Sequence, residues 1–497
     1  MRAPVALFLV ALLIRVAVTV GWQFDGLYGQ DAFAYYQQSI AIADRLPRGE
    51  LPPTDFFWPN GYPALAAMFM GVFGRSPLAA QLASLLTGAA LAPLAYWLCR
   101  DLFPSAHSRA GIVSGLIIAV AGQPILSSVS IMADMPALFW ATLAAWLLVR
   151  SSAGHLLAAG AALALSIVSR WLYVLLVPAF AVYALGQLRQ RRAWWLILLP
   201  ALSAALILLP QVSLSLNRPE GLLHSWLLGW NPTNAFRSQF DNVDGHFEYA
   251  LPVGLFYAQP AGHPAYLFPL FGLAALWGIA WAWRERARWP LALLVGWSAA
   301  VYLFLAGIPY ENFRFGLSLY LPLVALAGVG VSDLWQRFAR RWIVPAGVAL
   351  SLVGMSVWSY SMLGEFLTTQ NASKTIAYRV EQLVPQDATL ISFGLTLTLQ
   401  HYTRLNVVEL YYQNAASLDD LTRRNPTVYV LLDVENVNGQ WRGHEPGVSF
   451  DWLMAHTTMS PIATFPPYTL FKAVVNLSPR LRQPLLQERG ARFPLPL

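Results

Sequence analysis

The sequence has 497 residues, of which 57% are hydrophobic and only 11% are charged, with a formal net charge of +7. Soluble domains contain about 25% charged residues, so this composition predicts a membrane protein. The positive charge does not indicate nucleic-acid binding, because the arginines stand in short loops between apolar runs and not along one polar face. The single cysteine, Cys99, excludes an internal disulfide and a cysteine-built zinc site.

The first apolar run follows Arg2 and ends near Val20. It resembles a signal peptide, but the next residues, Trp22-Gln23-Phe24, lack the small side chains of a cleavage site. We therefore expect this run to remain as the first transmembrane helix. Arg15 lies inside it, and we expect the long side chain to reach outward to the membrane surface and to have no direct role in chemistry.

Apolar runs of about 17–25 residues, long enough to cross a bilayer, recur up to residue 363. They lie at 4–22, 77–98, 110–128, 133–150, 194–216, 264–283, 289–307, 315–334 and 343–363. A further run, 155–187, is too long for one span and is interrupted at Ser169-Arg170, so we interpret it as two short helices joined by a turn. The sequence thus predicts a polytopic α-helical membrane protein with about eleven transmembrane helices.

Cationic residues indicate the orientation of these spans, because cytoplasmic loops are enriched in Arg and Lys. The arginine-bearing loops all fall on one side only if 155–187 crosses the membrane twice. These loops contain Arg2, Arg100, Arg109, Arg150, Arg189, Arg284 and Arg337. We expect a multi-pass protein of the cell inner (plasma) membrane with a cytoplasmic N-terminus and with loops 23–76 and 217–263 outside.

The chain changes character after about residue 363, where strand-like segments begin to alternate with helical ones. The strand-like segments start at Asp387, Asn406, Thr427 and Tyr468, and the helical stretches lie near 372–384 and 416–424. We therefore predict two domains: a transmembrane domain, 1–363, and a small soluble α/β domain, 364–497, on the periplasmic or extracytoplasmic side.

Two carboxylates stand at the predicted outer ends of helices. Asp31 begins the stretch 32–44, which has helical spacing and mixed polarity and is expected to lie along the membrane surface. Such a carboxylate can accept a proton from a substrate hydroxyl, although an acid at a helix N-terminus also stabilises the helix dipole. Asp134 precedes Pro136 at the start of the fourth span, so helix capping is a strong alternative to binding an acceptor or a cation.

Two arginines are predicted on the outer face, where the positive-inside rule disfavours them. Arg170 lies at the turn within 155–187, and Arg314 lies at the start of the tenth span. A lipid phosphate would explain both positions, since a guanidinium offers a planar fork to phosphate oxygens. The alternative for Arg314 is an ion pair with the nearby Glu311.

The outer loops are rich in aromatic and polar residues. The segment from Trp58 to Pro63, which contains Asn60 and Tyr62, leads toward the second span and is expected to shape a loop against the membrane. The loop 217–263 suits carbohydrate binding but equally suits an interfacial aromatic belt. Its residues of this kind include Trp226, Trp230, Asp241, Asp244 and His246, of which the histidine is a candidate ligand or base.

Taken in order, these features resemble the GT-C superfamily of membrane glycosyltransferases. An acid follows the first span, a Pro-containing segment leads into the second, and another acid precedes the fourth. An outer arginine follows the fifth span, and an Arg-aromatic pair opens a late one. The arrangement is similar to that of protein O-mannosyltransferases and lipid A aminoarabinose transferases over about residues 1–335, and a soluble tail closes the chain.

The resemblance implies inverting transfer of a sugar from a polyprenyl-phosphate carrier to a hydroxyl on a glycan, lipid or protein at the outer face of the membrane. It implies that Asp31 is the catalytic carboxylate and that Asp134 supports it. Contacts to the lipid phosphate or sugar are then expected from Arg170, Arg314, Tyr35, Glu311, Asn60 and Tyr62. No cofactor and no nucleic acid are predicted, and no His-rich spacing supports a divalent cation at Asp31 and Asp134.

Other functions stay open at this level. A transporter or flippase for a lipid-linked saccharide would need inverted repeats, discontinuous midplane helices and charges deep in several spans, whereas these spans are almost free of charge. An assembly subunit whose tail binds a partner is a third function. Within the superfamily, Ala32 replaces the Glu that follows the first Asp of the mannosyltransferases, and Asn60-Gly61 replaces a Lys of the aminoarabinose transferases, so neither named activity is assigned.

Overall fold

The computed structural model describes residues 2–53, 56–190, 192–216, 229–338, 342–425 and 427–476. Trp226, expected in a carbohydrate-facing loop, lies outside the described residues. The chain divides into two compact units, the first formed by 1–240 with 247–372 and the second by 241–246 with 373–497. The predicted boundary at 363/364 and this division at 372/373 both fall within one long helix, Ile343–Leu383.

The first unit is helical almost throughout. In chain order its α-helices are α1 (Arg2–Gly21), α2 (Asp31–Arg45), α3 (Gly61–Phe73), α4 (Pro77–Leu102), α5 (Arg109–Val120), α6 (Gly122–Val129), α7 (Asp134–Arg150), α8 (Ala153–Ser169), α9 (Val177–Gln190), α10 (Leu198–Leu216), α11 (Val253–Ala258), α12 (Pro269–Arg284), α13 (Arg288–Gly307), α14 (Leu317–Arg337) and α15 (Ile343–Leu383). Short 3₁₀ helices precede three of them, at Trp171–Leu176, Trp194–Ile197 and Phe313–Gly316.

The predicted fold class is confirmed, since each predicted span contains an α-helix in the described chain. Seven helical segments there have at least 18 residues and are apolar enough to cross a membrane, and the bent pair α5–α6 adds an eighth. The other three predicted spans, α7, α8 and α12, have only 17, 17 and 16 residues. The span at 264–283 was predicted too long because residues 265–267 are apolar and buried without being helical, and Pro269 begins α12.

The third predicted span is broken at Ala121, where α5 and α6 meet at 58°. Arg15 of α1 is fully buried beside this break. Its guanidinium donates to Ser128 Oγ at 2.9 Å and to the carbonyl oxygens of Ile118 and Ala119 at 3.4 and 3.5 Å. The expectation that Arg15 reaches the membrane surface is therefore wrong, because carbonyls freed by a helix break in an apolar interior need donors and this side chain supplies them.

Helix α14, with the 3₁₀ turn before it, is the most buried of the apolar spans in the described chain, since almost all of its residues lie inside the structure. Small residues let it approach its neighbours closely: a Cβ added at Gly330 would lie 1.9 Å from the carbonyl oxygen of Ala274 in α12. A Cβ at Gly328 would similarly lie 2.4 Å from the carbonyl oxygen of Ala110 in α5. This close packing of small residues is typical of membrane helices, and it holds α14 against α12 and α5.

The second unit contains a mixed sheet, as the α/β prediction required. The strands of the chain are β1 (Gln239–Asn242), β2 (Gly245–Glu248), β3 (Thr389–Ser392), β4 (Asn406–Glu409), β5 (Thr427–Leu432), β6 (Thr457–Phe465) and β7 (Tyr468–Val475). The five-stranded sheet has the order β4-β3-β5-β7-β6, with β3 parallel to β4 and β5, and β7 antiparallel to β5 and β6. Its helices are α16 (Thr396–Tyr402), α17 (Ala415–Arg424), α18 (Val434–Asn438) and α19 (Gly447–His456).

Four of these five strands were predicted, and β6 was not. Pro461 interrupts its sequence, and proline cannot donate to a ladder, so the segment does not look like a strand. The structure accommodates it because β6 is an edge strand, and its register with β7 shifts between Pro461 and Ala463. The placement of this unit on the extracytoplasmic side stays a prediction.

Candidate functional site

Four predicted residues meet in two ion pairs, although they come from four distant segments. Asp31 opens α2, Asp134 opens α7, Arg170 follows the last residue of α8, and Arg314 lies in the 3₁₀ helix before α14. Arg314 pairs with Asp31, and Arg170 pairs with Asp134. We call these four residues the charge cluster.

The ring of Phe315 joins the two ion pairs. The guanidinium carbon of Arg170 lies 4.8 Å from the centroid of this ring, and that of Arg314 lies 5.6 Å from it. The ring is almost fully buried, and an aromatic face attracts a cation most strongly when water is excluded. Both guanidinium groups therefore have a favourable contact with the same aromatic ring.

Two tyrosines lie within electrostatic range of all four charges. Tyr28 lies in the loop before α2, and Tyr35 lies in its second turn. Burial raises the pKa of each hydroxyl, and the two carboxylates raise it further while the two guanidiniums lower it. Both hydroxyls therefore stay protonated at neutral pH and are able to donate hydrogen bonds.

The position of Arg170 depends on close backbone packing at the start of α3. A Cβ added at Gly61 would lie 2.5 Å from the carbonyl oxygen of Val168 and 2.8 Å from the backbone nitrogen of Ser169. Only a glycine therefore allows α3 to begin against the end of α8. At this end Arg170 leaves the helix with an extended backbone, φ −152° and ψ 117°.

The predicted alternative partner of Arg314 is not the one observed. Arg314 pairs with Asp31, 283 positions away in the sequence, and not with Glu311. In the described part of the chain, Glu311 Oε1 is buried without a hydrogen-bond partner. Burial raises the pKa of the Glu311 carboxyl from 4.5 to about 7.

Two atoms of the charge cluster also have no hydrogen-bond partner among the described residues: Asp134 Oδ2 and Arg314 Nε. Both are buried, and unsatisfied buried polar atoms are rare in folded proteins because each costs about 1–3 kcal/mol. The ion pairs are thus only partly complete. They leave one acceptor and one donor for a bound molecule.

Asn60 and Tyr62 connect helices next to the charge cluster. The Asn60 Oδ1 atom accepts from Gln38 Nε2 at 2.7 Å, and the Asn60 backbone nitrogen donates to Gln211 Oε1 at 2.9 Å. The Tyr62 ring is fully buried and lies edge-on to Tyr35 at 5.2 Å. These contacts tie α2, α3 and α10 together, and a contact of Asn60 or Tyr62 with a substrate stays a prediction.

The helix-dipole alternative for the two acids is compatible with the ion pairs. Asp31 and Asp134 are each the first residue of their helix, where a negative charge is favourable. Their side chains nevertheless accept from the two arginines. Each carboxylate therefore lies where both a helix N-terminus and a guanidinium favour a negative charge.

A cation at Asp31 and Asp134 would have few ligands. Each of these carboxylates is already held by one guanidinium. In the described ranges, the group of three His, Cys, Asp or Glu residues whose ligand atoms lie close enough for a metal is elsewhere, at Asp241, His246 and His444. The residues present thus fit an anion bound by two arginines better than a cation bound by two acids.

Sequence reasoning identified the four charges but did not identify Tyr28 or assign a role to the Phe315 ring. Tyr28 precedes Asp31 by a few residues in the same loop, and that proximity was the available signal. Met132, whose Sδ lies 3.6 Å from Arg314 Nη1, was also missed, because methionine in an apolar sequence has no signature.

Comparisons with known proteins give the same fold. A family model described as dolichyl-phosphate-mannose-protein mannosyltransferase matches residues 59–216. The chain is similar to a solved structure of ArnT from Cupriavidus metallidurans bound to undecaprenyl phosphate, with a TM-score of 0.64, 15% identity and coverage of 94% of this chain and 97% of that one. No curated protein matches the sequence.

Two further structures are of an archaeal oligosaccharyltransferase from Archaeoglobus fulgidus. One, in complex with Zn and sulfate, has a TM-score of 0.60 at 12% identity and covers 94% of this chain and 73% of that one. The other, AglB with an inhibitory peptide and a dolichol-phosphate, has a TM-score of 0.57 at 13% identity and covers 97% and 75%. The predicted resemblance is thereby confirmed, and the chain is a multi-span membrane protein with the GT-C fold.

Proposed function

We propose that this chain, which has the GT-C fold, is an inverting glycosyltransferase that moves a sugar from a polyprenyl-phosphate carrier to a hydroxyl acceptor. The observation that carries the proposal is the charge cluster: two carboxylates and two guanidiniums, partly buried and incompletely hydrogen-bonded, at the ends of four helical segments. The comparisons support the choice of donor, since similar folds were solved with undecaprenyl phosphate and with a dolichol-phosphate.

The arginines are suited to hold the phosphate of the donor. A guanidinium has five N–H donors, and neither Arg170 nor Arg314 uses all of them in its ion pair. A phosphate near the Phe315 ring would receive donors from both arginines, including Arg314 Nε. These donors would stabilise the negative charge that develops on the phosphate as the bond to the sugar breaks.

The two carboxylates differ in access, and this difference divides their roles. The side chain of Asp31 is 28% exposed, whereas that of Asp134 is 4% exposed. We assign Asp31 as the base that takes the proton of the acceptor hydroxyl, because an acceptor must reach it. The acceptor oxygen then attacks the anomeric carbon, and the polyprenyl phosphate leaves with the electron pair of the broken bond. Asp134 orients Arg170 through their ion pair.

The same phosphate would free the base. In the structure, Arg314 donates to Asp31 and so occupies one of its two carboxylate oxygens. A bound phosphate competes for this guanidinium, so donor binding would loosen the ion pair and make Asp31 available. Tyr28 and Tyr35, whose hydroxyls stay protonated, would donate to the sugar or to the phosphate.

The proposal names the sugar and the acceptor by chemical class and gives the side of the membrane on which transfer occurs. The donor sugar is a hexose or a pentose, and the acceptor is a glycan, a lipid or a protein. The expected location is the outer face of the inner membrane, which follows from the arginine distribution in the sequence. The second unit is expected on the same side.

Two features of the structure would also suit a flippase for a lipid-linked saccharide: the broken span at Ala121 and the buried cation Arg15. Arg15, however, donates to fixed protein oxygens and to the break itself, so it has a structural explanation. A flippase would also leave the bond between sugar and phosphate intact. Release of free polyprenyl phosphate therefore separates the two functions.

The experiment is to incubate the purified protein with a panel of polyprenyl-phosphate sugars, with native membrane extract as acceptor, and to measure released polyprenyl phosphate. Asp31→Asn should reduce the rate by about 10²–10⁴-fold, as expected for loss of a general base. Asp333→Asn is the matched control, because Asp333 is a buried carboxylate paired with Arg337 near the other end of α14. This variant should keep its activity.

Consumption of one donor by the wild type and not by Asp31→Asn would support the transferase and would identify its sugar. Equal turnover by Asp31→Asn would contradict the role of this residue as the base. Movement of a fluorescent lipid-linked saccharide across a proteoliposome membrane, without release of polyprenyl phosphate, would show that the flippase function is correct.

A further inference from the structure

Three side chains of the second unit, none of which belongs to the charge cluster, lie close to one another. His444 Nε2 lies 2.8 Å from Asp241 Oδ1, and His246 Nδ1 lies 3.5 Å from the same oxygen. All three ligand atoms lie within 4.8 Å of one another, and the two imidazole rings are nearly perpendicular with centroids 5.2 Å apart. Nothing in the proposed transfer reaction uses these residues.

Backbone contacts hold the two segments in place independently of the three side chains. The His246 backbone nitrogen donates to the Gln440 carbonyl oxygen at 2.7 Å, and Gln440 Nε2 donates to the Asp244 carbonyl oxygen at 3.0 Å. Gly245 has φ +99°, and a Cβ there would lie 2.4 Å from the Gln440 carbonyl oxygen. The turn between β1 and β2 is therefore fixed against the segment before His444, so the potential ligands are preorganised.

The distances between the three side chains are compatible with a shared small cation. Ligand atoms in a tetrahedral zinc site with bonds of about 2.0–2.1 Å lie about 3.3–3.4 Å apart. The two separations from Asp241 Oδ1, 2.8 and 3.5 Å, lie on either side of this value. Small rotations of exposed side chains would bring all three atoms to a common centre, because Asp241 and His246 are 59% and 51% exposed.

We propose that Asp241, His246 and His444 bind one divalent transition-metal ion of the Zn²⁺ type. Two imidazole nitrogens and one carboxylate oxygen are a ligand set that zinc accepts, whereas Ca²⁺ and Mg²⁺ prefer oxygens alone. The exposed side of the group leaves the fourth position to water. The bound ion crosslinks the β1–β2 turn to the segment 440–444 and so stabilises the second unit.

The test uses the full-length protein, purified through a histidine-free affinity tag, treated with EDTA and dialysed. Zn²⁺ is then titrated by calorimetry into the wild type and into Asp241→Asn, His246→Gln and His444→Gln. The matched control is His401→Gln, which removes another exposed histidine of the same unit. Mg²⁺ and Ca²⁺ are titrated in parallel.

We expect the wild type and His401→Gln to bind one Zn²⁺ with equal affinity, and each of the three ligand variants to bind it at least about 100-fold more weakly. Mg²⁺ and Ca²⁺ should not bind at this position. Equal zinc affinity in the wild type and the three variants would overturn the proposal. Equal weakening in His401→Gln would also overturn it, because scattered surface histidines would then account for the binding.

A second measurement needs only the wild-type protein. Diethyl pyrocarbonate modifies accessible imidazoles, and mass spectrometry of the peptides reports the modification of each histidine. Zn²⁺ should protect His246 and His444 and leave His401 reactive. Equal modification of His246 and His444 with Zn²⁺ and with EDTA would contradict the proposal even if a variant failed to fold.

Discussion

The first unit buries arginines in two regions, and their partners differ in kind. At the broken span, Arg15 donates to a serine hydroxyl and to backbone carbonyl oxygens, and the ion pairs of the described chain do not include it. In the charge cluster, Arg170 and Arg314 each face a carboxylate, while one donor and one acceptor stay unsatisfied. The first region is complete as it stands, and the second is not.

The difference indicates which buried charge is structural and which is functional. Carbonyl oxygens of α5 are fixed by the backbone, so Arg15 can only stay where it is or leave them unsatisfied. The carboxylates of Asp31 and Asp134 are side chains on separate helices, and an anionic ligand can take their place beside the guanidiniums. Buried ion pairs give little net stability, so replacing a carboxylate with an anionic ligand beside the guanidinium costs little free energy.

After Asp31→Asn, the largest effect is expected from removing an arginine of the charge cluster. Arg314→Gln and Arg170→Gln should each lower the rate of polyprenyl-phosphate release by about 10²–10³-fold, as for loss of one donor to a developing anion. Each should also destabilise the protein, because a partly buried carboxylate loses its partner. Donor turnover and thermal unfolding in detergent measure the two effects.

The double variant Asp31→Asn/Arg314→Gln separates the effect on donor turnover from the effect on stability. It restores the charge balance, so it should recover most of the thermal stability lost in Arg314→Gln while remaining inactive. Substantial activity in the double variant would mean that this ion pair is structural, as Arg15 is.

A smaller effect, on stability alone, is expected at the broken span. Arg15→Met should lower the free energy of unfolding by about 2–4 kcal/mol, because carbonyl oxygens at the break lose their donor in an apolar interior. Arg15→Lys should retain part of the stability. Unfolding in mixed micelles gives the free energy, and donor turnover by the folded fraction should be unchanged. A loss of turnover in fully folded Arg15→Met would instead connect the break to the reaction.

A pH-dependent effect is expected at Glu311, for which the described residues provide no arginine partner. Its pKa is about 7 in the folded protein and about 4.5 when exposed, so ionisation disfavours the folded state as the pH rises from 4.5 to 7 and by a constant amount above that range. Glu311→Gln removes this ionisation. The variant should therefore unfold at a higher temperature than the wild type at pH 8, and the difference should vanish near pH 4. A difference independent of pH would contradict the burial of the ionised carboxyl.

The smallest effect is expected for a solvent-exposed ion pair on the protein surface. Arg424 pairs with Asp420 at 2.7 Å on the surface of α17, and both side chains are more than half exposed. Asp420→Asn should change the free energy of unfolding by less than about 0.5 kcal/mol, and less still in high salt. A larger change would mean that geometry alone, without burial, accounts for the strength of the pairs in the charge cluster.

The sequence indicated all four residues of the charge cluster because charged residues are rare in this chain. In a chain with 11% charged residues, an acid or an arginine at the predicted outer end of a helix stands out. The sequence did not indicate which acid pairs with which arginine. Glu311 was the predicted alternative partner of Arg314 because the two residues are close in sequence. The observed partner, Asp31, lies 283 positions away in the sequence, and no local pattern indicates a contact between such distant residues.

The same limit applies to the second unit and its candidate metal site. The sequence indicated His246 as a candidate ligand, but His444 lies about 200 positions away and had no reason to be grouped with it. The edge strand β6 was missed for the opposite reason, since its proline argues locally against a strand that the sheet edge tolerates.

The sequence by itself determined the helical spans, four strands of the tail and the rare charges at helix ends, because hydropathy and side-chain periodicity are local properties of the chain. Only the tertiary structure decided that α5 and α6 break beside Arg15, that Phe315 joins two ion pairs, and that Asp241 meets His444. These contacts depend on which helices and segments pack together, and that is set by the close fit of small residues such as Gly61 and Gly330, which no single segment encodes.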